Sequence, residues 1–203
     1  MLIPENLESP GRYRPGGYHP VSIGDEFHNG RYRILHCLGH GSFSTVWLAH
    51  NLHYGSDISS VPGIMPPPRS RYVAVKILIS GATEAKHEGG ALRRLQVQAR
   101  TSGWIPSLVS ERIWSIFCTS PENETVEGSE FIVSLLDEFE IRGPNGLHHC
   151  TVTNVLGPDI AMVNRCAEIK ANPLPLAIGK QAVVQCAKGL MFLHSRGVVH
   201  GGI

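Results

Sequence analysis

Two short stretches carry residue types suited to holding phosphate. The first, Leu38-Gly39-His40-Gly41-Ser42-Phe43-Ser44-Thr45-Val46, sets two glycines among small polar residues. Backbone without a Cβ lets a phosphate come close, and its N–H groups supply the donors. The second, Val73-Ala74-Val75-Lys76, places one lysine inside an apolar run. An ammonium there can serve a phosphate as a point charge. Each stretch alone has a plainer reading: a glycine-bearing hairpin turn, or an edge-strand lysine facing water. Their order separates the alternatives. In a dinucleotide-binding turn the glycines lead from a strand into a helix. Here they lead into Thr45-Val46-Trp47-Leu48-Ala49, which is β-branched and aromatic and reads as a second strand. Glycine turn, strand, then a strand bearing lysine is the order of a loop that folds over nucleotide phosphates.

The elements that must position these residues follow from patterning. Arg31–Leu38 and Thr45–His50 form a hairpin around the glycine turn, and Arg71–Ile79 is a third strand. Residues 51–70 between them are a proline-bearing loop. Glu84–Arg100 reads as a helix, with Leu92 and Leu95 one turn apart and Gly89-Gly90 costing it about 1 kcal/mol each relative to alanine. Residues 101–128 are irregular. Glu130–Arg142 and Leu147–Val155 flank Gly143-Pro144-Asn145-Gly146, a hairpin signal. A helix is expected over 177–196, with Ile178, Ala182, Cys186, Leu190 and Leu193 at helical spacing, Gly197 as its stop, and Val198-Val199 opening a short strand.

Composition narrows the classes of function. With 18 Lys+Arg against 17 Asp+Glu the 203 residues carry a net charge of +1, which argues against direct nucleic-acid binding. No apolar run approaches the ~20 residues that span a bilayer, and the first residues lack a signal-peptide pattern, so no membrane association and an intracellular place, cytoplasm or nucleus, are expected. The five cysteines form no C-x-x-C pair and read as reduced, buried thiols. His148-His149-Cys150 and His36-Cys37-x-x-His40 contain metal-ligand types, but neighbours on a strand point to opposite faces, so no metal site is assigned to them. The 22 glycines and 14 prolines require extensive loops.

Taken together, three stretches resemble the protein kinases and, within them, the SR-protein kinase family. They are Gly16-Gly17-Tyr18-His19-Pro20-Val21-Ser22-Ile23-Gly24-Asp25 followed by Gly30-Arg31-Tyr32; Gly41-Ser42-Phe43-Ser44-Thr45-Val46-Trp47-Leu48, with serine where most kinases carry a third glycine; and Leu135-Leu136-Asp137-Glu138-Phe139 with Gly143-Pro144-Asn145-Gly146 and Val155-Leu156-Gly157. The resemblance implies an α+β fold: a kinase-like N-lobe of antiparallel sheet plus one helix, then the first helices of a truncated α-helical C-lobe. It divides the chain into an extended lead-in over 1–31, an N-lobe over 32–155 with inserts at 51–70 and 101–128, and a hinge with the start of the C-lobe over 156–203.

The same resemblance implies serine/threonine kinase activity with ATP and Mg²⁺, and protein substrates that include SR-type splicing factors. By position, Gly39, His40, Gly41, Ser42, Phe43, Ser44 and Thr45 belong to the phosphate loop. Leu38, Val46 and Ala74 are adenine walls. Lys76 holds phosphates, with Glu88 as its helix partner and Glu84 as the runner-up. Thr153 stands at the gatekeeper position, and Asn154 and Leu156 at the hinge that reads the adenine edge. Gly202 stands where the catalytic aspartate is expected, and glycine cannot accept the substrate proton. The magnesium ligands are expected beyond Ile203. The alternative is an inactive nucleotide-binding or scaffold fragment.

Overall fold

A computed structural model of the chain describes residues 8–54, 70–81, 89–95, 128–160, 162–164 and 175–199. The chain divides into two compact units, residues 1–92 with 134–156, and residues 93–133 with 157–203.

The first unit is built on six antiparallel strands: β1 (Glu26–Phe27), β2 (Tyr32–His40), β3 (Ser44–Asn51), β4 (Tyr72–Leu78), β5 (Leu135–Gly143) and β6 (Gly146–Thr153), in the spatial order β1-β2-β3-β4-β6-β5. A helical run, α1, is described over residues 89–95, inside the helix expected over 84–100. Among the described residues, an antiparallel sheet accompanied by a helix is thus the N-lobe architecture that the sequence implied. The strand expected over Glu130–Arg142 starts later than its sequence pattern. Ser129–Phe131 form a 3₁₀ turn, entered through Gly128 at φ +103° and held where the Gly128 N–H donates to the Glu130 carboxylate. That 3₁₀ turn takes up the first residues of the pattern, and β5 begins at Leu135.

Alternation assigns the two faces of the sheet. Tyr32, Ile34, Trp47, Ala49, Val73, Val75, Ile77, Phe139, Cys150 and Val152 form one buried cluster, with Val21 and Phe27 packed against it. His19, Val21 and Phe27 bring the segment ahead of β2 against this side. Tyr18 is fully buried and β1 pairs with β2. Gly143 is required where His19 packs, because a Cβ there would come within 2.3 Å of the His19 ring. The β5–β6 hairpin closes on Pro144-Asn145, with Gly143 opposite Gly146. Proline fixes φ near −65°, which excludes the two positive-φ positions of a type I′ turn. The positive φ falls instead on Gly146, at +130°.

His19 and His148 meet edge to face in this core, ring centroids 4.9 Å apart, and Leu78 O lies 2.8 Å from His148 Nδ1. Burial first, and then the nearby His148, lower the His19 pKa from 6.5. The folded state therefore refuses a proton that the unfolded chain accepts. Stability is fully present above pH 6.5 and is lost as pH falls toward the depressed value. We expect the urea midpoint to drop between pH 7 and pH 5.5, and His19→Phe to flatten that dependence. A wild-type midpoint independent of pH would contradict the assignment.

Burial pushes the Cys150 thiol up to about 12, which keeps it protonated and unreactive. Cys37 is partly covered. Cys186 is exposed, against the expectation that the cysteines are buried. Cys118 and Cys166 lie outside the described residues.

In the second unit α2 runs from Leu176 to Ser195. Its covered side holds Gly189 and Phe192, with Phe131 and Ile132 against Gly189. Of the expected apolar stripe, Ile178 and Cys186 are exposed while Ala182, Leu190 and Leu193 are partly covered. Gly197, at φ +69°, ends the helix as expected. Its N–H donates to His194 O, and the Val198 N–H donates to Leu193 O, the paired bonds of a Schellman cap. That second bond commits Val198 to the cap, so Val198-Val199 do not open a strand. Among the described residues no helix is long and apolar enough to cross a membrane.

Candidate functional site

The face of the sheet opposite the core cluster gathers most of the residues picked out by motif. Val46 stands directly opposite Lys76, and Lys76 opposite Thr151. Ala74, two residues before Lys76, shares that face and pairs with Leu48 and Thr153. Lys76 is only partly covered, although Val75 and Ile77 beside it are buried. Its apolar stem can thus lie along this face while the ammonium stays within reach of solvent. Val46 and Ala74 offer apolar surface there. Leu38 sits at the irregularity between Cys37 and Gly39 in β2 and is 44% exposed. Asn154 and Leu156 are exposed beyond the end of β6. The Asn154 carbonyl accepts from the Thr153 hydroxyl, and its side-chain oxygen from Ser70.

Gly39 and His40 end β2, while Ser44, Thr45 and Val46 open β3, leaving Gly41-Ser42-Phe43 as the turn. Thr45 is buried on the core side, where its Oγ1 accepts from Trp47 Nε1 at 3.0 Å, so only its backbone serves the turn.

Every carbonyl of the turn is held. Gly41 O accepts from the Tyr18 hydroxyl, Ser42 O from the Arg12 guanidinium, and Phe43 O from the Ile79 N–H at 2.9 Å. The Gly41 N–H donates to Ser44 O at 2.8 Å. Among the described residues, the N–H groups of Ser42 and Phe43 have no hydrogen-bond partner. The turn therefore presents bare donors with its acceptors tied back, which is the chemistry of an anion cradle.

The two glycines support the same reading. Neither Gly39 nor Gly41 has a positive φ. A Cβ would meet nothing within 4 Å at Gly39 and only Ser44 Oγ at 4.0 Å at Gly41. The fold by itself has room for a side chain at both positions. Their bareness leaves open backbone for something else to approach.

One part of the site escapes sequence reasoning. Glu138 stands opposite Thr151, so the cross-strand row Val46–Lys76–Thr151 ends on a carboxylate. Glu138 Oε1 lies 2.5 Å from His149 Nε2, with both side chains largely covered. A Cβ on Gly89 of α1 would meet that same oxygen at 2.5 Å, so a glycine there lets the helix approach the sheet. The row exists only once β6 is seated between β4 and β5, a non-local pairing with no local signal. His148 and His149 go to opposite faces, one to the core and one to Glu138. Glu84, Glu88 and Gly202 lie outside the described residues. Among the described residues no group of three or more His, Cys, Asp or Glu is arranged to hold a metal.

Comparison with known proteins adds relatives. No family model matches the chain. SRSF protein kinase 3 of Homo sapiens is 31% identical over 200 residues, covering 98% of this chain and 28% of the relative. Protein kinase dsk1 of Schizosaccharomyces pombe is 33% identical over 197 residues, covering 97% and 29%. The serine/threonine-protein kinase SKY1 of Saccharomyces cerevisiae is 30% identical over 199 residues, covering 98% and 22%. A crystallised kinase domain superposes with a TM-score of 0.48 at 16% identity, over 87% of this chain and 38% of its own. The chain spans less than a third of the length of the curated relatives it matches. Over the stretch it covers, the chain is similar to SR-protein kinases, relatives named as protein kinases.

Proposed function

We propose that the chain binds ATP, as Mg·ATP, on the sheet face that carries Lys76. The observation that carries this is the turn at Gly41–Phe43, whose carbonyls are all engaged while two of its N–H groups are bare. Bare donors beside a lysine fit phosphate oxygens, and Val46 with Ala74 fits a purine ring. In this reading Lys76 holds the phosphates, with Glu88 as its helix partner. Backbone of Asn154 and Leu156 reads the adenine edge, and Thr153 limits the depth of the pocket. Magnesium arrives with the nucleotide and is assigned no ligand in this chain.

At the level of the whole protein, the proposed reaction is transfer of the ATP γ-phosphate to Ser or Thr of protein substrates, SR-type splicing factors among them. This rests on the kinship with relatives named as protein kinases. A second reading, nucleotide binding without phosphotransfer, is favoured by Gly202 at the place of the proton-accepting aspartate.

Calorimetric titration with Mg·ATP and with adenosine tests the binding step. Saturable binding of both, with ATP the tighter, is expected; a folded chain that binds neither overturns the proposal. Incubation with γ-labelled ATP and an Arg-Ser repeat peptide then separates the two readings. Label in the peptide supports the kinase, and its absence from a chain shown to bind ATP supports the second.

A further inference from the structure

The residues that hold the carbonyls of the turn come from neither strand that flanks it. Tyr18 and Arg12 belong to the segment ahead of β1, 23 and 30 residues away from the carbonyls they bond. Tyr18 is 1% exposed; Tyr13 meets its ring edge to face at 5.6 Å, and the Arg12 guanidinium lies over it at 4.8 Å. One aromatic group thus locates both donors.

The segment is itself fixed at a second place. Asn145 Nδ2 donates to Tyr18 O at 2.6 Å, and the Gly16 N–H donates to Asn145 O at 3.0 Å. Ser80 and Gly81, just past β4, donate their N–H groups to Gly17 O and Gly16 O at 3.3 and 3.1 Å. Gly17 has to be glycine, because a Cβ would lie 2.0 Å from Arg12 O. The strand bearing Lys76 and the turn bearing the bare N–H groups are therefore tied to one peptide stretch, Gly16-Gly17-Tyr18.

Resting on the ATP reading above, we propose that Tyr18 and Arg12 are positioning residues for phosphate binding. By holding Gly41 O and Ser42 O they keep the N–H groups of Ser42 and Phe43 turned toward the phosphates. A three-residue turn with two glycines nearby samples many backbone states, and each peptide whose carbonyl is bonded loses the freedom to flip. A cradle already set costs less ordering when the ligand arrives. Neither side chain touches the nucleotide in this arrangement, because both act through carbonyls.

The test uses the full 203-residue chain and compares ATP with adenosine, which lacks phosphates. Tyr18→Phe keeps the ring and removes only the donor, and roughly a 3- to 10-fold loss of ATP affinity is expected, with adenosine affinity unchanged. Arg12→Met keeps an apolar stem over Tyr18 at a half-buried position, so it reports on the brace should Tyr18→Phe fail to fold by circular dichroism. Amide hydrogen exchange without ligand gives a second readout, and faster exchange at residues 42–44 is expected in both variants. Equal losses for ATP and adenosine would make the residues merely structural and overturn the proposal. So would unchanged ATP affinity in variants of a wild type that binds ATP, or unchanged exchange. A wild type that binds no ATP removes the nucleotide reading itself, and the phosphate role with it.

Discussion

Replacing Lys76 with alanine should lower the affinity for ATP by roughly 10- to 100-fold and leave the chain folded. A hydrogen bond to a charged partner is worth about 1.5–3 kcal/mol, and about 1.4 kcal/mol is tenfold in binding. Lys76 is one of the residues of β4 that is not fully buried, and its neighbours Val75 and Ile77 point into the opposite core. Truncating it removes a charge without opening a cavity in the opposite core, and the larger cost is expected on ligand binding. Adenosine provides the internal comparison, and its affinity should hold because Val46 and Ala74 remain. Lys76→Arg should recover only part of the loss, since a planar fork on a strand does not reproduce a point charge. Equal weakening of ATP and adenosine would mean that Lys76 supports the pocket and not the phosphates.

Much of this face is legible in the sequence because its signals are local. The glycine turn is bounded by β-branched runs, and Val73-Ala74-Val75-Lys76 announces a strand with one polar intruder. Register then follows from the hairpin: once Gly39 pairs with Val46, period-2 alternation delivers Val46, Ala74 and Lys76 to one side. The Asn-Gly pair marks the second hairpin, although proline moves the turn one residue earlier than the usual position.

What the sequence conceals is non-local. Residues 8–25 show no period, because their contacts are made singly by Arg12, Tyr18 and His19 to partners that lie tens of residues away. The carboxylate of Glu138 reaches the row of Lys76 only through a strand order in which β6 sits between β4 and β5. Leu135-Leu136-Asp137-Glu138 also contains an irregularity between Leu135 and Asp137. Simple alternation from Leu135 would place Glu138 on the wrong side. The extra residue reverses the phase, turning Asp137 toward the core and Glu138 toward Lys76.

Asp137 is where that reversal has its largest expected consequence. Its carboxylate accepts from Arg31 Nη1 at 3.0 Å and from the Tyr32 hydroxyl at 2.6 Å, and its second oxygen caps the Glu138 N–H at 2.8 Å. Both charged side chains are mostly covered, at 13% and 17% exposure, so solvent screening is weak. Burial, followed by the bond to Asp137, raises the Tyr32 pKa and keeps the phenol a donor. Asp137→Ala leaves a covered guanidinium and a buried hydroxyl without their acceptor, and breaking such a pair from one side costs about 3–5 kcal/mol. That is a large part of the roughly 5–15 kcal/mol that stabilises a domain. Urea denaturation should show the loss, and Asp137→Asn, which keeps an acceptor for Tyr32 but not the charge, should show less of it. The outcome bears on function through the two faces of one sheet. Asp137 lies with Tyr32 and Phe139 on the core side, so any Asp137→Ala molecules still folded at low temperature should bind ATP normally. Lys76→Ala should show the converse, full stability with weakened binding. If Asp137→Ala instead weakens ATP in proportion to its stability, the two faces are not energetically separate. The phosphate site would then depend on the whole lobe, and not on the turn and the lysine alone.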